Sequence, residues 1–109
     1  MTNLEAILSI SIYPIPINTV ERYCVDRGIV SSIDYTKEIG ISKEFELITA
    51  DVYDYLSEYF DIKEQDSSIN GDNNLRDIFR KKANDIYIKY EDPKFKGQTI
   101  GFVGEDWNA

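Results

Sequence analysis

The sequence predicts a mostly α-helical fold, a small bundle with two long antiparallel helices, on three observations. Residues 75–90 (LRDIFRKKANDIYIKY) place Leu75, Ile78, Phe79, Lys82, Ala83, Ile86 and Tyr90 at steps of three and four, the spacing of a helix with one buried face. Residues 43–62 repeat the pattern with Phe45, Ile48, Val52, Tyr55, Leu56 and Tyr59. Between them runs a polar stretch, residues 63–72, whose length suits an antiparallel pair. At 109 residues the chain is one domain with a single modest core.

The elements follow in order. Thr2 or Asn3 caps a short first helix that turns Leu4, Ile7, Leu8 and Ser11 inward. Pro14 and Pro16 hold the next segment extended and end that helix. Ile15 and Ile17 then drape over the core or form a brief edge strand. Asn18 or Thr19 caps a second helix, Val20–Arg27, that buries Val20, Tyr23 and Cys24, with Gly28 where a left-handed cap is needed. Residues 29–40 lack steady periodicity and read as a connection with one turn of helix, after which Ser42 caps the first long helix. In the second long helix Lys82 interrupts the apolar stripe; its methylene stem lies along apolar surface while the ammonium reaches water. Asp72, Asn73 and Asn74 offer that helix N-cap oxygens, and Pro93 halts it. Residues 1–92 therefore form the helical domain. Residues 93–109, with Gly97, Gly101 and Gly104, form an irregular C-terminal arm that packs back on the bundle or against a neighbouring subunit.

Composition excludes several functions. Twenty acidic against 12 basic residues give a formal charge of −8, which argues against direct nucleic-acid binding, because neutralising phosphates takes clustered Lys and Arg. A basic protein partner remains compatible. The absence of histidine rules out triads, His-based acid–base chemistry and His-ligated zinc. The single cysteine, Cys24, forbids an intramolecular disulfide and reads as a small buried hydrophobe. No apolar run reaches membrane-spanning length and the N-terminus lacks a basic signal-peptide start, which together point to a bacterial cytoplasm. Neither a cofactor nor catalysis is expected.

Among candidate sites, Asp66, Ser68, Asn70, Asp72 and Asp77 fall at EF-hand-like spacing, with Gly71 at the sixth position of the loop. Against calcium stand Asn73 at the usual apolar anchor and Asp77 in place of the bidentate Glu. The plainer reading is a polar loop in which Asn70 and Gly71 make the turn. Acidic pairs such as Asp51 with Asp54, or Glu105 with Asp106, read as solvated faces. Helical spacing sends Tyr55, Tyr59 and Tyr90 to the core and leaves Tyr53 and Tyr87 at its border. Border tyrosines either rim a monomer's core or contact a partner. Tyr53 and Tyr87, with Ile100, Phe102 and Trp107 of the arm, are the candidate partner-binding residues.

Three segments stand in order: residues 20–29 (VERYCVDRGI) followed by Asp34, Tyr35 and Thr36; Ala50, Asp51 and Val52; and residues 80–90 (RKKANDIYIKY). Together, over residues 19–92, they resemble a family of small, uncharacterised Bacteroides and prophage proteins. That family has a "DRG" helix end, an acidic alanine-containing helix and a final "A-N-x-I-Y-x-K-Y" helix. The likeness is looser at residues 66–71. In layout these proteins are similar to the helical head–tail connectors (adaptors) of tailed phages. The resemblance implies a non-enzymatic assembly protein, in the bacterial host or in the virion. It would act in a homo-oligomeric ring through contacts with a portal protein or neighbouring subunits. The second expectation, from charge alone, is an acidic regulatory module that binds a basic protein or mimics nucleic acid.

Overall fold

A computed structural model of the chain describes residues 1–66 and 72–95, apart from the side chains of residues 63–66 and 72–74. Five helices follow one another: α1 (Asn3–Leu8), α2 (Ile17–Arg27), α3 (Lys37–Gly40), α4 (Lys43–Asp66) and α5 (Asp72–Lys89). The fold is mostly helical, as the periodicity predicts. Among the described residues sheet pairing is confined to one isolated bridge, Thr2 with Asp34. No described helix is long and apolar enough to cross a membrane.

Local chemistry accounts for the helix ends. Thr2 caps α1 in a reciprocal box: the Glu5 N–H donates to Thr2 Oγ1 (3.2 Å) and the Thr2 N–H to Glu5 Oε1 (2.8 Å). The N–H groups of Asn3 and Tyr35 donate to Ile33 O and Met1 O, tying this end to the connection before α3. Helix α2 starts at Ile17, earlier than expected, with Pro16 before it and no side-chain cap. Proline's fixed φ suits a helix entrance, so Asn18 and Thr19 fall inside the first turn. Gly28 adopts φ 82° at the other end, where the Ile29 N–H reaches back to Cys24 O (2.9 Å). Thr36 caps α3 through the Ile39 N–H, and Ser42 caps α4 through the Phe45 N–H, both at 3.2 Å.

Helices α4 and α5 pack antiparallel. Glu46, early in α4, accepts hydrogen bonds from Lys89 (3.0 Å) and Tyr90 at the far end of α5, whereas Asp61 pairs with Arg76 near its start (3.1 Å). One face of α4, Phe45, Ile48, Val52, Leu56 and Phe60, packs against Ile7, Val20 and Cys24 of the first two helices. An adjoining face presents Leu47 and Ala50 to Ala83 and Tyr87 of α5. The two alanines leave room for the Tyr87 ring between the helices. Rings close the other end of the pair: Phe79 stacks on Phe60 (6.1 Å) and Tyr53 (5.9 Å), with Tyr13 edge-on to Phe60 (4.9 Å).

Two faces differ from the expected ones. The buried stripe of α5 is Phe79, Ala83 and Tyr87, spaced by four, while Ile78 is 47% exposed. Helix α5 leans chiefly on α4, so a narrow strip suffices and Ile78 is left on the outer side. On α4 Tyr59 is 45% exposed and Phe60 takes the inward place. Likewise Ile15 enters the core and Ile17 stays outside. The connection between the long helices is also shorter than residues 63–72, because α4 continues to Asp66 and α5 begins at Asp72.

Candidate functional site

The residues with most chemistry gather where the C-terminal ends of α2 and α5 meet the middle of α4. Asp51 stands four residues after Leu47 and three after Ile48, so it falls between the face of α4 turned to α5 and the face turned to α2. It is 1% exposed, which corrects the solvated place expected of it. A carboxylate so placed needs compensation, since burying an unpaired charge is prohibitive. Arg27, in the last turn of α2, provides it with a two-pronged contact: Nε to Oδ2 and Nη2 to Oδ1, both 3.0 Å. The Tyr87 hydroxyl donates to Oδ1 at 2.5 Å, and the Lys94 ammonium lies 3.2 Å from the same oxygen.

The remaining prong of Arg27 reaches Asp92 just past α5, Nη1 to Oδ1 at 2.7 Å. Asp92 gets there because Glu91 turns the chain with φ 54°, a left-handed conformation uncommon outside glycine. The same turn caps α5: the Glu91 N–H donates to Ile88 O (3.1 Å) and the Asp92 N–H to Tyr87 O (2.9 Å). Asp92 Oδ2 accepts the Lys94 N–H (3.0 Å), and the Lys94 ammonium sits over the Tyr23 ring, 5.5 Å from its centre. Two cations and two carboxylates thus balance in one cluster that holds residues 92–94 onto α2 and α4.

The electrostatics follow from this packing. The hydrogen bond to Asp51 raises the Arg27 pKa above its ordinary value, against the opposing pull of burial. Burial raises that of Tyr87, and the bond to Asp51 adds to it. Burial pushes Tyr23 to about 12. Asp92 lies below the usual carboxylate range: burial pushes it up, but the bonds from Arg27 and the Lys94 N–H outweigh that. At neutral pH both phenols keep their protons and Arg27 its charge. The cluster is built to hold a geometry rather than to trade protons.

The structure treats the candidate residues unequally. Tyr87 is fully buried between α4 and α5, so the border position expected of it is corrected and its ring has no surface to offer a neighbour. The reason is the rotated α5 stripe, which puts residue 87 in line with Phe79 and Ala83. Tyr53 is half-buried against Phe79, with the Lys82 ammonium 5.3 Å from its ring centre. Ile100, Phe102 and Trp107 lie outside the described residues, as do Ser68 and Asn70 and the side chains of Asp66 and Asp72. Asp77, the last member of the calcium-loop pattern, lies on α5 and accepts from Arg76 Nε at 3.1 Å. Among the described residues no three Asp, Glu or Cys side chains gather as a metal ion would require. Cys24 is buried and free, and burial raises its thiol pKa, away from nucleophile chemistry.

A second feature lies on the outer side of α5. A shallow groove of about 350 Å³ runs from Asp77 past Arg80 and Asn84 to Ile88, with Phe95 as an apolar wall. Arg80 Nε is withdrawn from water there and meets no hydrogen-bond partner among the described residues. Sequence reasoning placed Arg80 on the solvated side and did not foresee Phe95 folding back beside it. No protein-family model, curated protein or solved structure matches the chain.

Proposed function

We propose that this chain is a structural or assembly protein of the phage head–tail connector type, without catalysis of its own, that works through contacts with neighbouring copies or a portal protein. One observation carries the reading. The three segments on which the resemblance rests supply Arg27, Asp51 and Tyr87, and these converge on a single buried centre beneath Asp92 and Lys94. Residues far apart in sequence are thereby devoted to fixing how the chain leaves α5. That is useful to a protein whose C-terminal arm must meet a partner in a set direction. A formal charge of −8 also suits a ring through which DNA slides without adhering.

The same charge favours a second reading, an acidic module that engages a basic protein or imitates nucleic acid. The two separate in one experiment. The protein is co-expressed with a portal protein encoded beside its gene, and the product is sized and imaged. A ring of this chain seated on the portal supports the connector reading. A chain that ignores the portal and instead binds a basic protein with steeply salt-dependent affinity overturns it in favour of the regulator.

A further inference from the structure

We infer that residues 96–109 of this chain fold back in cis and occupy the groove on the outer side of α5. Three observations select this occupant over a foreign one. The first is continuity: Phe95 already forms a wall of the groove, so the segment that begins at Lys96 starts from the groove's own edge. The attached segment is present at an effective concentration in the millimolar range, which a separate partner would have to exceed.

The second is charge. Two of the groove's carboxylates have cations of their own, Asp77 taking Arg76 Nε and Asp85 taking Lys81 Nζ, both at 3.1 Å. Arg80 is left with a dry Nε and no acceptor for it among the described residues. A guanidinium in that position calls for a carboxylate. The segment carries two adjacent ones, Glu105 and Asp106, within a stretch that also holds Ile100, Phe102, Val103 and Trp107.

The third is register. From Ile88 back to Arg80 is eight residues, about 12 Å along a helix. From Phe102 to Asp106 is four residues, about 13 Å when extended. With Phe102 against Ile88 and Phe95, Asp106 arrives at Arg80 and Trp107 lies beside it. Gly97 supplies the freedom to reverse direction after Phe95. Of the two fates the sequence allows the arm, packing back or waiting for a neighbour, the groove favours the first. The inference does not depend on the connector reading, and its test reads the segment alone.

Trp107 is the only tryptophan in the chain, so intrinsic fluorescence of the full-length protein reports directly on this segment. Docking predicts blue-shifted emission, with acrylamide quenching severalfold weaker than for N-acetyltryptophanamide. Both should be unchanged on dilution across the micromolar range. Ile88→Asp, at a half-exposed position, and Arg80→Gln should each restore red-shifted, readily quenched emission while the far-ultraviolet dichroism stays helical. Emission like that of free indole in the folded wild-type protein overturns the inference. So does shielding lost on dilution, which would place the segment on a second copy, or shielding that both substitutions leave intact.

Discussion

Replacing Arg27 with methionine tests the buried centre most directly. The substitution keeps most of the side chain's length and removes the guanidinium. Asp51 then loses two hydrogen bonds of 3.0 Å and its fully desolvated counter-charge, while Asp92 loses its 2.7 Å partner. The side chains of Arg27 and Asp51 are 14% and 1% exposed, so solvent screening gives little relief. Removing one member of such a pair costs about 3–5 kcal/mol. A domain of this size has about 5–15 kcal/mol in all, so the loss is a large share of the total. Lys94, half in water, offsets part of it by turning further onto Asp51. Asp51→Leu alone should cost about 3 kcal/mol, because Tyr87 loses its acceptor and Arg27 keeps only Asp92. The double substitution should fall short of the sum of the singles by about 2 kcal/mol or more, since each removes what the other leaves stranded. Urea unfolding followed by circular dichroism measures all four proteins, and unchanged m-values would show that the folded and unfolded states remain comparable. Additivity within about 0.5 kcal/mol would refute the reasoning, because it would mean that the two residues do not share a site.

Phe79→Ala should cost about 3–5 kcal/mol by emptying the ring stack with Phe60 and Tyr53, whereas Ile78→Ala, at a half-exposed position, should cost about 0.5 kcal/mol or less. Equal losses in urea midpoint would put the buried stripe of α5 on the wrong side. Tyr23 and Tyr87 have folded-state pKa values above the ~10 of an unfolded tyrosine, Tyr23 at about 12. Their contribution is therefore complete below about pH 10 and lost as pH rises through the folded values, because the unfolded chain releases protons first. Urea midpoints should fall from pH 10 upward, and Tyr23→Phe should flatten that fall; a midpoint that rises with pH would contradict it. Gly28→Ala should cost about 1–2 kcal/mol from left-handed backbone strain alone, since an added Cβ at Gly28 would meet nothing within 4 Å. A thermal scan that shows no loss would mean that the end of α2 is not held at φ 82°.

The helices, their order and most of their ends were readable because each follows from local rules: Ser42 and Thr36 as caps, Gly28 as terminator, and residues 43–62 by period. Helix faces were readable only where the neighbours were implied. The α5 stripe was expected over a broad arc because Ile78, Ile86 and Tyr90 are as apolar or aromatic as Ala83 and Tyr87. Which part of the arc is buried depends on how far α4 overhangs it, and that is a tertiary fact. Asp51 shows the same limit with a usable signal. It shares a helix face with Leu47 and Ile48, and an acidic side chain within an apolar face calls for a buried cation. Arg27 was available, with a terminator directly after it, yet nothing local says that an arginine on one helix belongs to an aspartate 24 residues later. The α5 groove had no signal of that kind, since Phe95 joins it only because Glu91 reverses the chain.

Glu91 also explains why the cluster includes Asp92 and not Asp51 alone. A left-handed, non-glycine residue costs about 1–2 kcal/mol, and glycine would have adopted that conformation freely. The turn nevertheless forms with glutamate, because Asp92 then gains the 2.7 Å contact with Arg27 and its N–H caps Tyr87 O at 2.9 Å. Charge-assisted hydrogen bonds of this kind are worth about 1.5–3 kcal/mol, enough to hold the strained turn. Were Asp51 and Tyr87 serving core stability only, an aliphatic pair of similar volume would do as well or better. What an aliphatic pair cannot do is set the orientation of residues 92–94, because apolar contacts have no direction, whereas the fork of Arg27 aims one prong at α4 and another past the end of α5. The buried centre is therefore better understood as the device that directs the chain beyond Pro93 than as part of the core it sits in. It sends the chain to Phe95, at the edge of the groove where Arg80 lacks an acceptor.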